Sequence, residues 1–263
     1  MSIALGSFAG AQQPALGIRL GDIAWTDAAR LLDSSTVIVI PLGAESKEHG
    51  PHLRLKNDFL EATYYADRIV AASRVVLAPT INYSFYPAFV EYPGSTTLRF
   101  ETARDMVIDI CRSLARYGPR RFYILNTGVS TLRILGPARD SLAASGIVMR
   151  FTNGGHRADS VEKAIARQPG GTHADEMETS MLLYMYPQFV DMTKAAADYH
   201  PGAGGLTRDS LVAARDNKVF SRTGIFGDAT LATREKGRQY VEAHVLDILE
   251  EIEALRRASV PPR

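Results

Sequence analysis

Apolar residues recur along the chain with two alternating spacings, and this alternation predicts an α/β fold. Short runs rich in β-branched and aromatic residues are typical of strands and lie at 36–42, 74–79, 121–126 and 147–152. Segments with helical spacing of apolar positions lie at 26–32, 58–72, 102–117, 132–144, 174–186 and 233–258. Strands that alternate with helices favour a mostly parallel sheet covered on both faces. We therefore predict a three-layer α/β/α architecture.

The length and apolar content of the chain indicate how many domains it forms. The chain has 263 residues, 46% of them apolar, which suits one domain with a large core. We expect residues 1–15 to form a disordered N-terminus, residues 16–263 to form the domain, and the Gly-rich stretch 187–232 to be an irregular loop.

Composition also bears on partners and location. The formal charge of +1 and the absence of a basic run argue against a nucleic-acid partner, and no apolar run is long enough for a membrane span. A cytoplasmic protein is expected. The alternative is an exported one with a trimmed signal, since residues 9–12 (AGAQ) faintly resemble a cleavage site.

The loop after the first predicted strand carries the residues most typical of metal chemistry. It contains His49 and His52 together with the acids Glu45, Glu48 and Asp58. In open α/β sheets, ligands bind at the carboxyl ends of the strands, where this loop begins. Imidazole and carboxylate together suit zinc, manganese or iron. The loop is therefore a candidate metal site.

Four segments resemble, in order, motifs of the creatininase (creatinine amidohydrolase) family. They are 41–58 (PLGAESKEHGPHLRLKND), 92–98 (YPGSTTL), 172–180 (THADEMETS) and 226–238 (FGDATLATREKGR). The resemblance implies a creatininase-like α/β/α fold and a homo-oligomer, in this family often a hexamer. It also implies a metal-dependent hydrolase that opens cyclic amides or cleaves small amides, with two divalent ions sharing a bridging aspartate.

The resemblance assigns roles to four residues of this chain. His49 matches a metal ligand and Asp58 matches the bridging aspartate. His173 matches the active-site histidine that handles the proton, and Glu178 matches the glutamate of the third motif. We therefore expect His49, Asp58 and Glu178 to bind the metal and His173 to act as general acid and base.

Two departures from the family pattern affect the metal site. Lys47 stands where the family has a glutamate ligand, and the segment 126–131 (NTGVST) lacks the histidine that the family carries there. We expect a single-metal or altered site, with Glu48 as a substitute ligand. Substrate-binding roles are expected for Ser130, Thr131 and Asp175.

The sequence thus predicts an enzyme that hydrolyses a non-peptide carbon–nitrogen bond in a small, cyclic amide. Zinc is the expected ion, with manganese and iron as alternatives, and the substrate is a small molecule. Two other functions stay open: hydrolysis of a cyclic ketone or lactone, and a non-catalytic binding protein derived from the family.

Overall fold

A five-stranded parallel sheet forms the centre of the protein. The computed structural model describes residues 15–199 and 222–260. The strand order is β1-β3-β2-β4-β5, and all neighbouring strands pair in parallel. The strands are β1 (Ile18–Arg19), β2 (Val37–Leu42), β3 (Val76–Leu77), β4 (Arg121–Asn126) and β5 (Val148–Phe151).

Seven helices accompany the sheet within the described residues. They are α1 (Trp25–Leu31), α2 (Asn57–Ala72), α3 (Phe100–Ala115), α4 (Leu132–Ala143), α5 (His156–Ile165), α6 (Glu176–Met185) and α7 (Arg234–Arg256). A small antiparallel pair, β6 (Ala197–Asp198) and β7 (Gly227–Asp228), lies apart from the main sheet.

Two apolar layers, one on each face of the sheet, confirm the predicted three-layer architecture. Every residue of β2 is buried because its side chains alternate between these layers. Ile38 and Ile40 pack with α3 and α4, whereas Val37 and Val39 pack with α2 and α7. A continuous apolar run is what a strand covered on both faces requires.

The predicted element boundaries differ from the structure where caps and short strands are involved. Helix α1 begins at Trp25, one residue before the predicted start at 26, and its N-cap Ala24 offers no side-chain bond. Helix α3 begins at Phe100 rather than 102, and the strand expected at 74–79 pairs over two residues only. The predicted β4 matches in full.

Strand β1, helix α5 and the short pair β6 and β7, which lies within the predicted irregular loop 187–232, were not anticipated from the sequence. Strand β1 has two residues, too few for a periodic signal. Helix α5 is mostly polar, so it gives little apolar periodicity. Its first backbone N–H groups are capped by a residue of another helix: Asp247 of α7 accepts hydrogen bonds from the N–H of Arg157 and Ala158, each at 3.0 Å.

Some sequence predictions fall outside the described residues. The N-terminus that was predicted to be disordered lies almost entirely there, as does 200–221 of the predicted Gly-rich loop. Within residues 15–199 and 222–260, no helix combines the length and apolar character needed to cross a bilayer.

The carboxyl edge of the sheet is where the predicted site residues meet. Strand β2 leads into the loop 43–56, which ends at the first turn of α2, and β4 leads into the loop 127–131. The start of α6 approaches the same edge, where the segment before it pairs with the chain near β7 through a bridge between His173 and Phe226.

Candidate metal centre

His49 lies on the loop after β2, and its imidazole is held in a defined tautomer. Its Nδ1 is 2.9 Å from the carbonyl oxygen of Lys47. A carbonyl only accepts hydrogen bonds, so Nδ1 carries a proton and Nε2 is the nitrogen available to a metal ion. That Nε2 lies 2.8 Å from Asp58 Oδ1 and 3.4 Å from Glu178 Oε1. A lone pair between two carboxylates is favourable only with a cation, either a proton or a metal ion.

Asp58, in the first turn of α2, is shared between a histidine and a lysine. Its second oxygen, Oδ2, lies 2.8 Å from Lys47 Nζ, and both side chains are almost fully buried. Burial alone would raise the pKa of Asp58, but the charges of Lys47 and His49 outweigh it and hold that pKa well below its usual range. Asp58 is therefore a permanent anion in the site.

Lys47 places a positive charge inside the site. Its ammonium lies 4.9 Å from the ring centre of Phe89 and 5.5 Å from that of Tyr86. Burial alone would lower the pKa of Lys47, but Asp58 and then Glu178 raise it above the usual value. The resemblance would place a glutamate here, so this position carries the opposite charge.

Glu178 reaches the centre from the first turn of α6. Its Oε2 accepts from the backbone N–H of Ala174 at 2.5 Å, and its Oε1 accepts from Asn57 Nδ2 at 3.0 Å. Burial would raise the pKa of Glu178, yet His49 and His173 lower it. Ala174 adopts a left-handed φ of 49°, which a residue with a side chain rarely adopts and which is common at functional sites.

His173 precedes α6 and repeats the arrangement seen at His49. Its Nε2 lies 3.0 Å from the carbonyl oxygen of Glu48 and 3.1 Å from Glu48 Oε2, so this nitrogen carries a proton. Nδ1 then faces Glu178 Oε2 at 3.6 Å. Burial alone would lower the pKa of His173, but the carboxylate of Glu48 raises it above the usual value.

The donor set fits a divalent ion. One ligand atom from each of His49, His173 and Glu178 lies within 4.8 Å of the other two. Ligands about 2.1 Å from a tetrahedral zinc ion are about 3.4 Å apart, close to the two imidazole–carboxylate separations here. Each histidine also donates its other N–H to a backbone carbonyl, as metal-binding histidines commonly do.

The other predicted site residues have different surroundings. Glu48 contacts His173 and the backbone N–H of Gly50, so its carboxylate lies beside the predicted base. Asp175 is the N-cap of α6, accepting from two backbone N–H groups at 3.0 Å each, and it also lines the cavity beside the centre.

Ser130 and Thr131 have different environments in the structure. Ser130 lines the cavity beside the centre. Thr131 is fully buried. Its hydroxyl donates to Asn126 Oδ1 and to the carbonyl of Gly128, so its hydrogen bonds stabilise its own loop.

The cavity beside the centre has a volume of about 310 Å³, the size of a small-molecule pocket. Its wall includes Lys47, Asp58, His173 and Glu178, together with residues that the sequence analysis did not single out: Glu61, Phe89, Glu162 and Tyr240. No short motif surrounds these four, because each comes to the cavity from a different segment of the chain.

A second group of potential ligands lies at the surface. His156, Asp247 and Glu250 also have ligand atoms within 4.8 Å. The carboxylate of Asp247 is already held by the first amides of α5 and by Arg157, and the other two side chains are exposed. This surface cluster is accounted for by helix capping and ion pairing.

Fold and site together define a three-layer α/β/α protein with an imidazole–carboxylate centre at the carboxyl edge of a parallel sheet. The family model described as creatininase, creatinine amidohydrolase, matches residues 21–252. The chain therefore belongs to the creatininase family, as the four motifs indicated.

Curated relatives have low sequence identity and high coverage. The chain is 27% identical to creatinine amidohydrolase of Pseudomonas putida, over 92% of this chain and 97% of that protein. It is 27% identical to a mycofactocin precursor peptide peptidase of Mycobacterium ulcerans (89% and 91% covered) and 26% identical to a 3-dehydro-scyllo-inosose hydrolase of Thermotoga maritima (84% and 78%). These relatives are hydrolases, which supports an enzyme of that class.

Solved structures show the same fold. A crystal structure of creatininase superimposes with a TM-score of 0.71 at 23% identity, covering 92% of this chain and 99% of that one. Other solved forms of creatininase are described as manganese and zinc–zinc types.

Proposed function

We propose that this protein is a metal-dependent hydrolase that cleaves a carbon–nitrogen bond in a small amide. The observation that carries the proposal is the pair of imidazole nitrogens, His49 Nε2 and His173 Nδ1, that face the two oxygens of Glu178 at 3.4 and 3.6 Å. Two relatives act on carbon–nitrogen bonds by name, an amidohydrolase and a peptide peptidase. The cavity of about 310 Å³ favours the small amide over a peptide.

We propose one ion per chain, zinc first, with manganese and iron as alternatives. His49 and Glu178 would hold it, with Asp58 beside them. The second ion that the family resemblance implies would meet the ammonium of Lys47, which already neutralises Asp58 from 2.8 Å. Two cations that share one buried carboxylate repel each other strongly. Lys47 therefore takes the place of the second cation.

In this mechanism the ion, when bound, supplies an activated water and polarises the amide carbonyl. His173 accepts the proton of the attacking water at Nδ1 and later returns it to the leaving nitrogen. Glu48 holds the opposite Nε2–H and stabilises the imidazolium that forms. The ammonium of Lys47 lines the cavity and stabilises negative charge that develops on the substrate oxygen.

Metal content and turnover of two variants test this proposal. We expect about one zinc per chain in protein purified without chelator, and its loss in His49→Ala. His173→Gln should keep the metal and lose roughly 10²-fold or more in turnover of cyclic amides. His156→Gln, at an exposed histidine, is the matched control and should change neither. Wild-type protein that binds no metal would refute the proposal and favour the binding-protein alternative.

A different role for His173 has its own support. Nδ1 of His173 belongs to the group of three ligand atoms within 4.8 Å, so direct ligation is the second candidate. His173→Gln would then lose the metal together with the activity. Retained metal with lost turnover identifies the proton carrier, and lost metal identifies the ligand.

The same centre suits a second reaction class. An ion and a histidine base also serve water attack on a cyclic ketone or lactone, and one relative is named an inosose hydrolase. Parallel assays with cyclic amides, lactones and cyclic ketones separate these classes, and we expect amides to be turned over fastest. The homo-oligomer implied by the family resemblance is tested by light scattering on the same samples.

A further inference from the structure

A second cavity opens beside the candidate metal centre. Its volume is about 200 Å³, and it shares Glu61, Glu162 and Tyr240 with the wall of the first cavity. The two cavities are therefore adjacent, with these side chains between them. We call it the acidic cavity, because its wall carries the carboxyl groups of Glu61, Asp159 and Glu162.

Among the described residues that line the acidic cavity, none is a lysine or arginine. Glu61 is 4% exposed and accepts one hydrogen bond from the protein side chains around it, from Asn57 Nδ2 at 2.9 Å. Burial, followed by the charge of Glu178, raises the pKa of Glu61 well above its usual range. The negative charge of this side chain is thus poorly compensated by its surroundings.

Two further polar atoms in the same wall are without a protein partner. In the part of the chain that the structure describes, Tyr65 Oη and His244 Nδ1 are buried and make no hydrogen bond. Tyr65 is 2% exposed and His244 is 9% exposed, and their ring centres are 5.1 Å apart. Buried polar atoms without a partner are rare and destabilising, and their concentration in a cavity points to a ligand.

We propose that the acidic cavity binds an ammonium group of the substrate. The Glu61 carboxylate, Tyr65 Oη and His244 Nδ1 offer three acceptors, which matches the three N–H donors of a protonated primary amine. Burial lowers the pKa of His244 to about 4, so at neutral pH its imidazole is uncharged and able to accept. This inference rests on the proposed function for one point only: the ammonium belongs to the amide that is hydrolysed.

Calorimetric titration of metal-free protein with propylammonium chloride tests binding independently of catalysis. We expect saturable binding of propylammonium and none of 1-propanol or propionate, because only the cation matches the carboxylates. Glu61→Gln should weaken binding roughly tenfold, since it removes a charged hydrogen-bond acceptor. Glu101→Gln, at an exposed acid of α3, is the control and should bind as wild type does.

The Tyr65→Phe variant distinguishes a loss of ligand binding from a loss of folding. It removes a hydroxyl that has no hydrogen-bond partner among residues 15–199 and 222–260, so the thermal midpoint should stay equal or rise while propylammonium affinity falls. No binding by wild-type protein, equal binding of propanol, or unchanged affinity in Glu61→Gln would overturn the inference.

Activity separates this inference from the proposed function. An amide with a free primary amine should exceed its N-acetylated form in kcat/KM, and Glu61→Gln should remove that preference through KM. Propylammonium binding without any amide hydrolysis would refute the proposed function and leave the acidic cavity as an amine site. Amide hydrolysis with no preference for a free amine and no propylammonium binding would overturn the amine site and leave the proposed function in place.

Discussion

Replacing Lys47 by methionine probes the charge balance of the centre most directly. The variant keeps the length of the side chain but removes the ammonium 2.8 Å from Asp58 Oδ2, in a pair whose side chains are 6% and 1% exposed. Removing one partner of a buried ion pair costs about 3–5 kcal/mol, because the other charge stays buried. For a domain of this size, that corresponds to a fall of about 10 °C in the melting temperature of metal-free protein.

The assay is scanning calorimetry on protein dialysed against chelator, with and without zinc. Lys194→Met is the matched control, since Lys194 pairs with Asp191 at 3.0 Å but is 57% exposed. An exposed pair contributes at most about 1 kcal/mol, so the control should melt within about 3 °C of wild type. Lys47→Met should also regain stability on zinc addition, because an ion then neutralises Asp58.

Lys47→Glu extends the test to metal stoichiometry. It restores the carboxylate that the family resemblance places at this position, and we expect two zinc ions per chain instead of one. A wild-type protein that binds two ions, or a Lys47→Met variant that melts with wild type, would refute the reasoning that Lys47 replaces a cation.

Two further predictions concern the stability of the fold. A methyl group at Gly237 of α7 would lie 1.8 Å from the carbonyl oxygen of Ser180, so Gly237→Ala should lower the free energy of unfolding in urea by about 3 kcal/mol or more; unchanged stability would contradict the close approach of α6 and α7. His244 gives a pH dependence. Burial lowers its pKa to about 4, so between pH 6.5 and 4 the unfolded chain binds a proton that the folded chain does not, and stability falls as pH falls. Between pH 7 and 5 this contributes about 2 kcal/mol. His244→Phe should reduce the measured pH dependence by that amount, and an equal dependence in both proteins would refute the assignment.

Much of the fold could be predicted from local patterns. β4 was predicted in full, and α2, α4 and α7 to within two residues, because their apolar spacing reports burial against the sheet. Helix α1 begins one residue before its predicted start and has no side-chain cap, and α5 was missed because its first amides bond to Asp247, far away in the chain.

The candidate site, like the fold, could be predicted from the sequence only in part. His49 and Asp58 were identified within one segment, where their spacing and the preceding strand are visible in the sequence. The contacts of Glu48 and Lys47 could not be predicted in this way, because adjacent residues on a loop point in different directions. Glu48 contacts His173, and Lys47 contacts Asp58. Spacing alone could not distinguish a substitute ligand from a partner of the base.

The sequence by itself determined the class of fold, the family, and the residue types that carry the chemistry. These depend on short-range properties: the period of apolar positions, the order of motifs, and the presence of imidazole and carboxylate after a strand. The tertiary structure decided which of those groups share a charge, that a lysine neutralises the central aspartate, and that Glu61, Tyr65 and His244 line one cavity. Those relations arise because the sheet brings α2, α6 and α7 together, and only packing sets the distances over which charges and hydrogen bonds act.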